Sequence, residues 1–195
     1  MLVTKTRSEA LALLIEYTKS ESLKKHAFAV ETAMRWYAKN YYKLDSDQVE
    51  LWGITGLLHD FDYEVAPEPT APNGHPYLGN RILTELGYST EITTAIMGHA
   101  EYTGVPRLTA LDKTLFAVDE LCGLVMASTL VRPNKDISQI EAKSVLKKFK
   151  DHNFAAGCSR SDIQLGAQEL GLELSQHVQN VILAMREVAP ELGLL

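Results

Sequence analysis

Residues 45–64 read DSDQVELWGITGLLHDFDYE, and the fold follows from what this stretch is. Asp45 followed three positions later by Gln48 is a capping-box pair. Val49, Trp52, Leu57 and Leu58 then carry an apolar helix to the adjacent pair His59-Asp60. Gly53 and Gly56 inside it each cost about 1 kcal/mol of helix propensity relative to Ala, a cost that a close helix crossing would explain. On the amino-terminal side, Leu23, Ala27, Val30, Met34, Ala38 and Tyr41 step by three or four residues. They predict a helix over about 22–41 with His26 near its first turn. On the other side, residues 66–74 hold three prolines and end in Asn73-Gly74, the composition of a loop that forms a lid or rim. His75 then caps a helix with Pro76 at its first position and Gly87 past its end.

The same reading extends to both termini. The start, MLVTKTRSEALALLIEY, is an amphipathic helix and not a signal peptide, because charges at Lys5, Arg7, Glu9 and Glu16 interrupt it. A helix over about 90–99 delivers His99 at its end, and Thr109 with Asp112 opens a long apolar helix with Asp119 in its middle. Arg132-Pro133-Asn134 breaks the chain, and Ser138 with Glu141 predicts a capping box for a basic helix ending at Lys147-Lys148-Phe149-Lys150. Two more helices are expected near 161–170 and 173–189. No alternating β pattern and no repeat occurs, so the expectation is an all-α bundle-like domain of about eight helices.

Composition sets the outer limits. At 195 residues the chain suits one domain spanning 1–195. Hydrophobic residues at 46% and charged residues at 23% rule out disordered and disulfide-scaffold classes. Nineteen Lys plus Arg against 25 Asp plus Glu give a net charge of −6, which argues against extended nucleic acid or an anionic membrane as partner. Only Cys122 and Cys158 occur, in no CxxC arrangement, so neither a disulfide framework nor a structural zinc site is indicated and a cytoplasmic protein is expected. The aromatic run Trp36, Tyr37, Tyr41 and Tyr42 and the Leu194-Leu195 end suit either core packing or a homodimer interface.

Six ionisable residues stand out: His26, His59, Asp60, His75, His99 and Asp119. Taken singly, each has an ordinary reading as a boundary residue, a helix cap or a solvated carboxylate, and His152 and His177 have nothing beyond that. Together, imidazoles and carboxylates form a donor set suited to divalent Mn, Fe, Co, Ni or Zn.

The order His26, then His59-Asp60 in GLLHDFDYE, then Asp119 in LFAVDELCG resembles the HD-domain (HDIG-type) superfamily of metal-dependent phosphohydrolases, an all-α fold. The resemblance covers about residues 22–126, with about 127–195 similar to the helical extension of small stand-alone members. HPYLGNRIL and GHAEYTG are similar to the histidine segments that enlarge the metal site in HD-GYP phosphodiesterases and HD-type dinucleoside polyphosphate hydrolases. The resemblance implies that His26, His59, Asp60 and Asp119 bind a first divalent ion, and that Asp60 bridges to a second held by His75 and His99. One or two ions per chain are implied, Mg being admissible beside the metals above. Three departures matter: no lysine follows the His-Asp pair, Ala100 stands where a second consecutive histidine would, and the Gly-Tyr-Pro tripeptide is absent. Specificity for cyclic di-GMP is therefore not supported.

What the resemblance implies chemically is attack of a metal-activated water on a small phosphate ester, a nucleotide or related phosphomonoester or diester, with Asp60 and His59 as the central catalytic residues. Asp62 and Glu64 stand as candidates for leaving-group protonation, and Arg81, Arg107, Lys113 and Arg132 as candidate phosphate contacts. Two alternatives stay open: a di-iron HD-type oxygenase, and a non-catalytic nucleotide or effector sensor.

Overall fold

The computed structural model describes residues 5–69 and 71–195. Met1–Thr4 of the expected amino-terminal helix and Thr70 of the Pro-rich loop lie outside the described residues. Among those described there are ten α-helices and no strand: α1 (Arg7–Tyr17), α2 (Glu21–Trp36), α3 (Ser46–Leu58), α4 (Tyr77–Glu85), α5 (Thr90–Gly98), α6 (Ala110–Leu130), α7 (Ala142–Phe149), α8 (Arg160–Glu169), α9 (Leu174–Arg186) and α10 (Ala189–Leu192). The all-α expectation holds, with ten helices against about eight foreseen, the one-turn α10 following the last predicted segment.

Most helix starts are where the capping residues place them. Thr6 and Thr109 make complete capping boxes with Glu9 and Asp112, and Asp45 accepts from the Gln48 amide at 2.9 Å. The helix foreseen over 22–41 runs as α2 into a π-helical turn, Tyr37–Tyr41, closed by the Tyr42 amide donating to the Tyr37 carbonyl. Pro76 is the N-cap of α4 and not its first helical residue. One expectation fails outright. Ser138 does not cap α7, because the Asp136 carboxylate captures the Ser138 amide at 2.7 Å and winds Ile137–Gln139 into a 3-10 turn. Glu141 itself becomes the N-cap of α7, without a side-chain bond.

The α2–α3 pair makes the most extensive helix–helix contact. A Cβ on Gly53 would lie 2.3 Å from Arg35 Nε, and one on Gly56 would lie 2.9 Å from Met34 Cγ, so the two glycines are what permits the crossing. Across this seam the buried Glu31 carboxylate accepts from Arg7 Nε (2.7 Å) and Nη2 (2.9 Å) and from Arg35 Nε (2.9 Å), while Arg35 Nη1 reaches Glu50 (2.7 Å). A buried carboxylate needs such partners, since unpaired it would carry its full desolvation cost.

Helix α6 forms the spine of the core, with Leu115, Ala117, Val118, Leu121, Cys122, Leu124 and Val125 fully buried. The carboxy-terminal half braces it at Ala117 from two sides. Gly166 of α8 sits so close that a Cβ there would be 2.5 Å from Ala117 Cα. From α9, the fully buried His177 donates through Nε2 to the Ala117 carbonyl (2.8 Å) and accepts at Nδ1 from the Tyr37 hydroxyl (2.6 Å). Asn180 Nδ2 in turn donates to the Tyr37 oxygen at 3.2 Å. Burial holds the His177 pKa down at about 4, so the ring is neutral and its single proton lies on Nε2. No helix among the described residues is long and apolar enough to cross a membrane.

Candidate metal centre

Four helices end or pass at one point. His26 comes from the second turn of α2, His59 is the C-cap of α3 with Asp60 next to it, His99 is the C-cap of α5, and Asp119 lies midway along α6. His75 arrives from the segment before α4, held by its amide donating to the Ala66 carbonyl at 2.7 Å and by the Tyr102 hydroxyl donating to its own carbonyl at 2.8 Å. The six residues singled out in the sequence therefore meet in space.

They meet as two donor groups that share one residue. His26, His59, Asp60 and Asp119 each offer an atom within 4.8 Å of the others, and so do Asp60, His75 and His99. Asp60 Oδ2 faces the first group, 3.4 Å from His59 Nε2 and 3.9 Å from His26 Nε2. Its Oδ1 faces the second, 3.2 Å from His75 Nε2 and 3.4 Å from His99 Nε2. Asp119 Oδ1 completes the first group at 2.9 Å from His26 Nε2 and 3.4 Å from His59 Nε2.

Hydrogen-bond bookkeeping fixes which way the imidazoles present their lone pairs. The carbonyl oxygens of Gly56 and Ile96 can only accept, so the Nδ1 atoms of His59 (2.7 Å) and His99 that bond them must carry the protons. His75 Nδ1 bonds Asp62 Oδ1 at 2.7 Å in the same way. In the form in which it would ligate a metal, each ring then has its Nε2 lone pair directed at the cluster. His59 Nε2 is fully buried and has no hydrogen-bond partner, an orphan that calls for a cation.

The electrostatics agree. Burial opposes a charge on His59 and His99, yet the carboxylates of Asp60 and Asp119 outweigh it and raise both pKa values. Burial likewise opposes charge on Asp60 and Asp119, but the imidazoles facing them hold both below the usual carboxylate range. The pocket attracts positive charge, and its donors are nitrogen and carboxylate oxygen. All-helical packing thus assembles a buried His/Asp cluster with the composition and spacing of a metal site.

Asp62 and Glu64 take other places than leaving-group protonation would need. Asp62 is fully buried, accepting from His75 at one oxygen and from the Gly79 amide at the other (2.7 Å), which makes it the carboxylate that orients His75. Glu64 is exposed and accepts from the Lys19 and Ser20 amides, closing the turn before α2.

A cavity of about 460 Å³ opens onto the cluster. Its lining includes Phe116, Asp119, Glu120 and Gly123, which step i, i+3, i+4, i+7 along one face of α6. Tyr63 and Tyr102 also line it, as do Cys158 and Asp162 from the carboxy-terminal half. Cys158 and Asp162 gave no signal in sequence, since only the close approach of α8 to α6 brings them there.

None of the four basic candidates lines this cavity. Arg107 is bound by Glu169 (2.9 and 2.6 Å) and stacks 3.6 Å over the Phe116 ring, bracing the wall from behind. Arg81 donates to Asn73 at 2.8 Å and ties down the Pro-rich loop. Lys113 belongs to the start of α6, while Arg132 lines a separate cavity of about 350 Å³ with Ser128, Ser144 and Lys148. Comparison with protein-family models, with curated proteins and with solved structures found no match, so the site is read on its own geometry.

Proposed function

We propose that this chain is a metal-dependent phosphohydrolase of the HD type, cleaving a small phosphate ester such as a nucleotide or a related phosphomonoester or diester. The observation that supports this best is the division of the Asp60 carboxylate, one oxygen toward His26, His59 and Asp119 and the other toward His75 and His99. A carboxylate shared in this way suits a pair of divalent ions, His26, His59, Asp60 and Asp119 holding one and Asp60, His75 and His99 the other. Such ions, when bound, supply a water of lowered pKa and neutralise phosphate oxygens.

The chain's own residues do the positioning. His59, His75 and His99 keep their lone pairs inward because their Nδ1 protons are committed to Gly56, Asp62 and Ile96. The volume of the cavity suits a small molecule, not a polymer, and the net charge of −6 disfavours extended nucleic acid.

Elemental analysis of the purified protein, followed by a panel of phosphomonoesters and diesters, tests the reading. Two divalent ions per chain and turnover of at least one ester are expected. A metal-loaded protein inert across the panel overturns it, as would stoichiometric iron with oxygen consumption and no hydrolysis, which would transfer the site to oxygenase chemistry.

A further inference from the structure

The cavity of about 350 Å³ between the end of α6 and α7 shares no residue with the one at the metal cluster, and its lining is basic. Arg132 and Lys148 line it with Ser128 and Ser144, and among the described residues no aspartate or glutamate does. Both cations are half-buried, yet neither makes an ion pair among the described residues. The Asp136 carboxyl is held below its ordinary range chiefly by Ser138, whose amide it takes at 2.7 Å, then by Gln139 at 2.9 Å, with Arg132 contributing last. Lys148 has the Phe154 ring, 4.5 Å from its Nζ. Two like charges lining one groove of a chain whose net charge is −6 repel each other unless an anion stands with them.

An independent observation at the same groove is the hydroxyl of Ser128, in the last turn of α6. The residue is 5% exposed, and its Oγ is buried without a hydrogen-bond partner. The neighbouring Thr129 hydroxyl, by contrast, donates back to the Val125 carbonyl at 2.9 Å. A buried hydroxyl left unmet beside two unpaired cations is donor capacity that a ligand oxygen can use. Ser144 and Lys148 lie one turn apart on the same face of α7, while Val131 and Ile140 give the groove an apolar side. We infer that this groove binds the phosphoryl group of a small organic phosphate. Arg132 and Lys148 meet its charge, Ser128 donates to one of its oxygens, and its carbon part lies against Val131 and Ile140. The planar fork of Arg132 suits two phosphate oxygens at once. Ser128 follows Asp119 by nine positions on one helix, about 14 Å at 1.5 Å per residue, so a ligand here occupies a place of its own, independent of the metal centre.

The test titrates the isotope-labelled full chain with inorganic phosphate and with n-propyl phosphate by NMR, in the presence of a chelator so that no metal ion competes for the ligand. Saturable shifts of the Ser128, Arg132, Ser144 and Lys148 amides are expected, with half-saturation at about 1 mM. Arg132→Gln and Lys148→Gln should each weaken binding about five-fold. Ser128→Ala should weaken it about three-fold without lowering the melting temperature, since the hydroxyl it removes bonds nothing in the free protein. Tighter binding of the ester than of phosphate supports the inference in full, whereas equal affinity overturns the apolar subsite and leaves free phosphate as the ligand. No saturable shift at these four amides, or shifts unchanged in the Arg132→Gln and Lys148→Gln variants, overturns the site itself. The phosphohydrolase reading is tested separately, by metal content and turnover.

Discussion

The Nε2 atoms of His75 and His99 lie 3.2 Å apart, and both rings have already committed their Nδ1 protons elsewhere, to Asp62 and to the Ile96 carbonyl. Two lone pairs converging at that distance repel unless a cation or a shared proton stands near them. The fold holds them there through an ordered loop and a helix end. Part of its stability is therefore linked to what the pair binds.

Metal addition should raise stability for this reason. At free metal a hundred-fold above its dissociation constant, linkage contributes about 2.7 kcal/mol per ion. Thermal melts after chelation and after re-addition of Mn, Co or Zn measure it. Identical midpoints would mean that the cluster binds none of these ions.

Asp60 and His75 should differ in what they remove. Asp60→Ala takes away the one residue common to both donor groups, so both ions and all turnover should be lost. His75→Ala touches only the second group, so about one ion per chain should stay. Elemental analysis of the two variants separates these outcomes, and full metal content in Asp60→Ala would refute the shared carboxylate.

Asp62 touches no other member of the cluster, yet His75 depends on it for orientation. Replacing a group that orients a metal-bound imidazole costs typically 10–100-fold in metal affinity or activity. Asp62→Ala should fall in that range and affect only the ion that Asp60, His75 and His99 would hold. Gly79→Ala should act similarly, because its Cβ would lie 2.9 Å from Asp62 Cγ. Metal titration with a competing chelator reads both.

His177 predicts an acid-sensitive term in stability that is independent of the cluster. Its folded pKa of about 4 lies below the ordinary value of 6.5. Between those values the unfolded chain binds the proton and the folded chain does not, so stability falls as pH drops from 6.5 toward 4 and levels off below. The size is about 3 kcal/mol across that window. His177→Gln offers one donor and one acceptor but cannot titrate, and should cost about 1–2 kcal/mol at pH 7.5. Denaturant unfolding at pH 7.5, 6 and 5 should show the gap to wild type narrowing with acid. A constant gap would rule out this origin.

Much of this molecule could be read from the chain because its chemistry sits at helix boundaries. His59 and His99 are C-caps, His75 precedes a proline-marked helix start, and each boundary has a local signal in sequence. Gly53 and Gly56 announced the α2–α3 crossing in the same way. What stayed illegible depends on contacts between distant segments. Nothing near Arg107 shows that Glu169, sixty-two positions on, will claim it. Asp136 overrode the Ser138–Glu141 pair because a nearer carboxylate won the same amide. The cavity wall at Asp162 exists only once Gly166 has let α8 settle on Ala117.

That last contact divides the chain into two kinds of responsibility. Every candidate metal donor comes before residue 120, whereas Cys158 and Asp162, which face whatever enters, come after residue 150 and rest on α6 through glycines at 123 and 166. Exchanging the segment around 150–170 while keeping Gly166 would therefore alter what the protein accepts and leave its donor set intact. New selectivity could thus be evolved, or engineered, without rebuilding the reactive centre.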